Sequence, residues 1–155
     1  MDADFLVARL HEAKEFFDRS TSCLTEEDSS FTPAEGMMTV ASQVAHVAQT
    51  IDWFFDGAFS PDGFDMEFEA HIRAYTAVTS LTEARKLLDA SFANAEKIIR
   101  ERISEMNEPL PEGPVMGGEP RAAIIGGISD HTAHHRGALT VYARLRGHEP
   151  PMPYM

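Results

Sequence analysis

Apolar residues recur along this chain in steps of three and four, the spacing that places side chains on one face of an α-helix. The most regular stripe consists of Val40, Val44, Val47, Ile51, Phe54 and Ala58. A second consists of Leu6, Leu10, Ala13, Phe17 and Leu24, and a third of Ala84, Leu88, Ser91, Ala95, Ile98 and Arg102. Each stripe predicts an amphipathic helix with one face towards a common core.

A fourth stripe follows positions 124, 128, 131, 135, 138, 142 and 145. Its members are Ile124, Ile128, His131, His135, Ala138, Tyr142 and Leu145, with Leu139 beside them. This alternation of four and three is typical of the inward seam of a helix in a bundle. Two histidines therefore occupy positions where Leu or Ile would be expected.

Polar residues and glycines mark where the four helices begin and end. The helices are predicted to begin near Asp2 or Asp4, Thr39 or Ser42, Ser80, and Arg121. They are predicted to end near Leu24, Gly57, Met106 and Arg146. Ser80 followed by Glu83 fits a capping box, and Gly147 suits the residue after a helix end.

The connection from about Gly57 to Ser80 is long, with a short helix predicted over Phe68 to Tyr75. Four long helices without a convincing pair of strands predict an all-α fold. We expect a four-helix bundle with a long crossover connection between helices 2 and 3. The length of 155 residues suits a single domain spanning residues 1–155.

The formal net charge of −12 argues against nucleic acid and anionic membranes as partners, since both attract Lys and Arg. No apolar run approaches the roughly 18 residues that a membrane span needs. The acidic start, Met1-Asp2-Ala3-Asp4, is unlike the basic start of a signal peptide. We therefore expect the protein in the cytoplasm.

Cys23 is the single cysteine, so the sequence offers no pair for an internal disulfide. The acidic residues that follow it, Glu26, Glu27 and Asp28, would raise the pKa of a thiol. We therefore expect Cys23 to be a small core residue rather than a catalytic thiolate.

His131 and His135 are four residues apart, so their imidazoles lie on one face of the predicted helix. Burying two polar rings costs free energy unless a metal ion or a hydrogen-bond partner satisfies them. His46, at the edge of the second stripe, is the candidate third ligand, and His134 competes with His135. The alternative is that the pair are core histidines that bond to carbonyls or to each other.

Several polar residues accompany these histidines. Gln43 and Thr50 lie one turn before and after His46, where they could bond a ligand ring or a bound water. Arg136 is expected in a salt bridge or an interface, and Asp130 either orients a neighbour or faces solvent. His11, His71 and His148 are expected to be surface residues without a role in the site.

The segment Val44-Ala45-His46-Val47, followed far downstream by His131-Thr132-Ala133-His134-His135-Arg136-Gly137 and a Pro150-Pro151 tail, resembles the DinB (damage-inducible) superfamily. The resemblance implies a four-helix bundle, often a homodimer, with His46, His131 and His135 at the ligand positions of a divalent metal, nickel or zinc. Ala138 departs from the pattern, because many relatives carry Gln there.

The resemblance also implies a reaction class. Some relatives transfer low-molecular-weight thiols of the bacillithiol or mycothiol type to a small-molecule substrate. One hypothesis is therefore a metal-dependent thiol S-transferase. A metal-dependent hydrolase is the alternative at the same site, because a bound ion can also activate water. A third hypothesis is a non-catalytic dimerising or ligand-binding bundle, whose metal is structural or absent.

Overall fold

A computed structural model describes residues 2–155 of the chain. Within that range it forms five α-helices and no β-strand: α1 Ala3–Thr21, α2 Val40–Phe59, α3 Phe68–Thr76, α4 Leu81–Glu101 and α5 Ile124–Leu145. Short 3₁₀ turns occupy Glu26–Asp28, Ile103–Glu105 and Arg121–Ala123. The predicted all-α class is confirmed, including the short helix in the long connection.

Polar side chains begin three of the helices by accepting hydrogen bonds from backbone N–H groups that have no partner inside the helix. Asp2 accepts from the N–H of Asp4, Thr39 from that of Ser42, and Ser80 from that of Glu83. After the C-terminal end of α5, Gly147 adopts a φ of 84°, a backbone conformation that favours glycine. The local signals thus place these helix boundaries as the sequence predicts.

The four long helices pack side by side around the apolar stripes. The helix α2 packs against α4 and α5, and α1 packs against the same two helices. The stripe of α2 is fully inward, with Val40, Val44 and Val47 each 0% exposed. The short helix α3 lies against α2. Among residues 2–155, no helix has both the length and the apolar content that crossing a bilayer requires.

Four details of the predicted helices are wrong. The first helix ends at Thr21 rather than near Leu24, and α5 begins at Ile124, after the 3₁₀ turn over Arg121–Ala123. The third long helix ends at Glu101 rather than near Met106, because Arg102 leaves the helical conformation, with φ −119° and ψ 24°. Leu145, predicted on the inward seam, is 60% exposed. It is the last residue of α5, where the end of the helix is not covered.

Asp28 joins the turn after α1 to the end of α5. Its carboxylate is buried and accepts from the N–H of Thr25, from Nε of Arg146 and, at 2.9 Å, from Nε2 of His148. Burial would raise the pKa of Asp28, but these donors outweigh it and lower the pKa to about 2. His148, expected at the surface, is therefore a half-buried partner of this carboxylate.

Glycines within α5 differ in what surrounds them. A Cβ at Gly127 would lie 2.9 Å from the ring of Phe54, so the missing side chain lets α2 and α5 approach closely. A Cβ at Gly126 or at Gly137 would meet no atom within 4 Å. Close packing therefore explains Gly127, whereas contacts within this chain do not explain the other two.

We predict opposite effects for alanine at two of these positions. Gly137→Ala should stabilise the fold by about 0.5–1 kcal/mol, because alanine favours the helix and the position is open. Gly127→Ala should destabilise it, because the overpacking cost of roughly 1–3 kcal/mol outweighs the same gain. Urea unfolding of both variants measures the difference. A destabilising Gly137→Ala would contradict the open surface.

Candidate metal centre

Three histidines from two helices converge at the contact between α2 and α5. His131 and His135 lie one turn apart on α5, and His46 faces them from α2. The Nε2 atoms of His46 and His131 are 3.2 Å apart. One ring nitrogen from each of the three histidines lies within 4.8 Å of the others. The predicted grouping of these residues is therefore what the fold produces.

The packing of the two helices explains the position of the cluster. On α2, His46 lies between the buried residues Ala45 and Val47, at the edge of the apolar stripe. On α5, His135 is 7% exposed and lies one helical turn after the buried Thr132. Because both apolar stripes face the same contact, the imidazoles beside them must meet there as well.

Burial keeps these imidazoles neutral. Loss of solvent is the larger cause and the neighbouring histidines the smaller one, and together they lower the pKa of His135 to about 3 and that of His131 to about 4. Burial also lowers the pKa of His46, an effect that Gln49 partly opposes. All three rings therefore carry a lone pair at neutral pH, which is the form that binds a metal ion.

Gln43 fixes the orientation of His135. Its Oε1 accepts a hydrogen bond of 2.9 Å from Nδ1 of His135, and its side chain is buried. Donation from Nδ1 leaves the lone pair on Nε2 of the same ring. The sequence indicated Gln43 as such a partner. Thr50, indicated for the same role, instead lines the neighbouring cavity.

The donor set fits a divalent ion. Two nitrogens that bind one zinc ion at about 2.0–2.1 Å lie roughly 3.3 Å apart at a tetrahedral angle. The 3.2 Å between the Nε2 atoms of His46 and His131 is close to that separation. Among residues 2–155, Nδ1 of His46 is buried without a hydrogen-bond partner. The same separation suits a hydrogen bond in which one ring N–H donates to the other nitrogen, so the geometry fits both a shared cation and the histidine pair that the sequence left as the alternative.

Two of the histidines outside the cluster, His134 and His11, are exposed. His134, the alternative to His135, is exposed, with its ring centroid 4.9 Å from that of His135. His11 is exposed on α1, where its Nε2 lies 2.8 Å from a carboxylate oxygen of Glu96. The surface position expected for His11 is confirmed.

A cavity of about 400 Å³ adjoins the cluster, and His46 and His131 form part of its wall. Trp53 and Phe54 of α2, Phe68 of α3 and Asp130 of α5 also line it. Sequence reasoning missed this cavity. The signal in the sequence was the row of polar and aromatic residues on α2 that contains His46 and Trp53. That row does not reveal which residues of α3 and α5 form the other walls of the cavity.

His71 is the clearest departure from the sequence prediction, because it is half-buried and lines the same cavity. Nε2 of Gln49 donates to Nδ1 of His71 at 3.1 Å and to its backbone oxygen at 3.2 Å. The other ring nitrogen lies 3.3 Å from a carboxylate oxygen of Asp65. Phe68 and His71 are three residues apart and therefore lie on one face of α3, and the contact with Gln49 of α2 holds His71 at the cavity.

Two remaining candidates are explained by their surroundings. Burial raises the pKa of the Cys23 thiol, and the charge of Asp28 raises it further. This residue therefore lacks the environment of a reactive thiolate. The guanidinium of Arg136 lies 5.7 Å from the ring centre of Phe16 and 6.0 Å from that of Tyr154. Its contacts are with aromatic rings rather than with the cluster.

A family model described as the DinB family matches residues 5–155. The matched range includes all three clustered histidines and the residues that line the adjoining cavity. No curated protein matches the chain.

We predict that the metal-free protein loses stability as the pH falls from about 6.5 to about 4. The folded pKa values of His135 and His131 lie below the ordinary value of 6.5, so the unfolded chain binds more protons in this range. The free energy of unfolding should therefore fall with the pH, by up to about 1.4 kcal/mol per pH unit for each such proton. Urea unfolding at several pH values measures the slope.

The matched variants are His135→Gln and Asn94→Ala. The first removes a buried titrating ring and should flatten the slope between pH 6.5 and 4, whatever its effect on stability at pH 7. The second changes an exposed residue of α4 that does not titrate, so it should leave the slope unchanged. Equal slopes for wild type and His135→Gln would contradict the assigned cause. The pKa of Asp28, about 2, places its loss of stability at lower pH.

Proposed function

The chain belongs to the DinB family, and from this membership and the histidine cluster we propose that it is a divalent-metal-dependent enzyme. The proposed ligands are His46, His131 and His135. The observation that carries the proposal is the convergence of three neutral imidazoles, with nitrogens within 4.8 Å of one another, beside a cavity. Gln43 would act by holding the ring of His135 in the orientation that presents Nε2.

We propose nickel or zinc as the ion, because imidazole nitrogen suits both. Within residues 2–155, the cluster of metal-binding side chains has three members. Three protein ligands and an open position are typical of a catalytic zinc site, whereas a structural site has four protein ligands. An ion held there would lower the pKa of a thiol or a water that reached its open side.

We propose transfer of a low-molecular-weight thiol to a small-molecule substrate as the reaction. The resemblance of the histidine pattern to DinB relatives that use such thiols favours it. The protein's own Cys23 does not supply the nucleophile, because burial raises the pKa of its thiol. A metal-dependent hydrolase remains the alternative at this site, and a non-catalytic bundle with a structural metal or none is the alternative from another class.

The finer architecture is part of the same proposal. The mutual packing of α1, α2, α4 and α5 supports a four-helix bundle, in which α3 belongs to the crossover connection between the second and third long helices. We propose that residues 1–155 form one domain, located in the cytoplasm, and that two copies form a homodimer. The exposed apolar side chains of Val141 and Leu145, one turn apart on α5, support a contact between copies.

We predict about one equivalent of a divalent ion per chain. Elemental analysis of untagged protein and titration of the metal-free protein with Co²⁺ measure it. His131→Ala and His135→Ala should abolish stoichiometric binding, because two imidazoles hold an ion poorly. Gln43→Ala should weaken binding by about 10–100-fold. His134→Ala is the matched control and should bind as wild type does. If none of the variants differs from wild type, the assigned ligands are wrong.

We predict that a thiol reaches the ion. Addition of 2-mercaptoethanol to the Co²⁺-loaded protein should produce a thiolate-to-cobalt absorption band, and His135→Ala should not show it. A spectrum that is insensitive to the thiol, together with ester hydrolysis, would favour the hydrolase. A spectrum insensitive to every small ligand would indicate closed coordination and support the non-catalytic alternative.

A further inference from the structure

The cavity beside the histidine cluster lacks basic side chains. Its ten lining residues include no Lys and no Arg, and one of them is the carboxylate-bearing Asp130. Three histidines also line the cavity, and their ring nitrogens are engaged with one another or with Gln49. Nδ1 of His71 accepts a hydrogen bond from Gln49, which a protonated ring cannot do, and the Nε2 atoms of His46 and His131 face each other at 3.2 Å. An anionic group that enters this cavity would therefore lose water without gaining a Lys or Arg partner from the lining.

Aromatic rings form the apolar wall. Phe54 is 9% exposed, and its ring centroid lies 5.1 Å from that of Trp53. Phe68 on α3 is 52% exposed and also borders the cavity. Flat apolar groups stack well against such rings. The volume of about 400 Å³ falls at the small end of the range for ligand pockets.

Asp130 supplies the one fixed charge of the lining. It is exposed on α5, next in sequence to His131, and it borders the cavity. A cation at the cavity would be attracted by this carboxylate, and an anion would be repelled. The aromatic wall and the carboxylate thus both favour a flat apolar ligand that carries no negative charge.

We propose that this cavity selects a small ligand with an aromatic group and no negative charge. The proposal deepens the function proposed above, since it names the substrate class of that site. This selectivity does not apply to a donor atom that becomes ionised when it binds the metal, because the positive charge of the ion neutralises that atom. Neutral or cationic aromatic molecules should therefore be better ligands of this cavity than aromatic carboxylates of similar size.

The chain provides its own reporter. Trp53 is the single tryptophan and lines the cavity, so quenching of its fluorescence reports on ligands that bind there. The probes are benzylamine, benzyl alcohol and benzoate, which have similar size and differ in charge. Titrations use the metal-free protein at pH 7, because a bound ion would attract benzoate by itself.

We expect saturable quenching by benzylamine and benzyl alcohol, with Kd on the order of 1 mM for ligands of this size. Benzoate should bind about tenfold more weakly than benzylamine, which is the effect of reversing a charge near one carboxylate. Benzoate affinity equal to or greater than that of benzylamine would overturn the proposal. Absence of saturable quenching by all three probes would overturn it as well.

Two matched pairs of variants test the causes. Asp130→Asn should bring the affinities of benzylamine and benzoate to within about threefold. Glu35→Gln removes one negative charge from an exposed loop and should leave their ratio unchanged. Phe68→Ala, at an exposed ring, should weaken all three probes by a similar factor, whereas Phe5→Ala on α1 should not. A ratio that Asp130→Asn leaves unchanged would overturn the assigned role of this carboxylate.

The result is separable from the metal proposal. If the protein binds no metal but retains the selectivity between probes, the proposed metal function falls and the ligand class stands. If it binds metal through the histidines but shows no selectivity, the ligand class falls and the metal function stands.

Discussion

The desolvation of three imidazole rings between two apolar helices is the constraint on which the centre of this structure depends. Polar rings in such a place carry a free-energy cost that only hydrogen bonds or a cation offset. Gln43 satisfies one nitrogen of His135, and His46 and His131 face each other at 3.2 Å. The same loss of water that costs stability holds the rings neutral, and neutral nitrogens are the form that binds a metal ion. The free-energy cost of burying the rings and their capacity to bind a metal ion therefore have the same origin, which is desolvation.

One row of α2 serves several purposes at once. His46 joins the cluster, Gln49 holds His71 of α3, and Trp53 donates a hydrogen bond of 2.7 Å from Nε1 to the backbone oxygen of Asp65. These two hydrogen bonds hold the connection that follows α2 against the same face of α2. The helix α2 thus positions one proposed ligand, two aromatic rings of the cavity wall and the connection beside them, which suits a site that must hold a ligand at a defined place.

The sequence predicts the parts of this structure that depend on periodicity and on local hydrogen bonds. The apolar stripes specify α2 and α5, and the histidines meet because they lie beside those stripes. The helices that begin after Asp2, Thr39 and Ser80 also begin where the sequence predicts. Tertiary contacts decide the rest. His71 looked like a surface residue because its short helix carries little pattern of its own, and Gln49 on another helix fixes it. The end of α4 depends on the conformation of Arg102.

The helix α3 has no buried residue and lies against α2, partly through the polar contact between Gln49 and His71. An element with little buried apolar surface opens at a small free-energy cost, well below that of global unfolding. Its backbone amides would therefore exchange with solvent while α2 and α5 remain protected. Because Phe68 and His71 border the cavity, the same local opening would set how fast a ligand enters and leaves. The rate of exchange at the site would then be a property of this short helix rather than of the histidines.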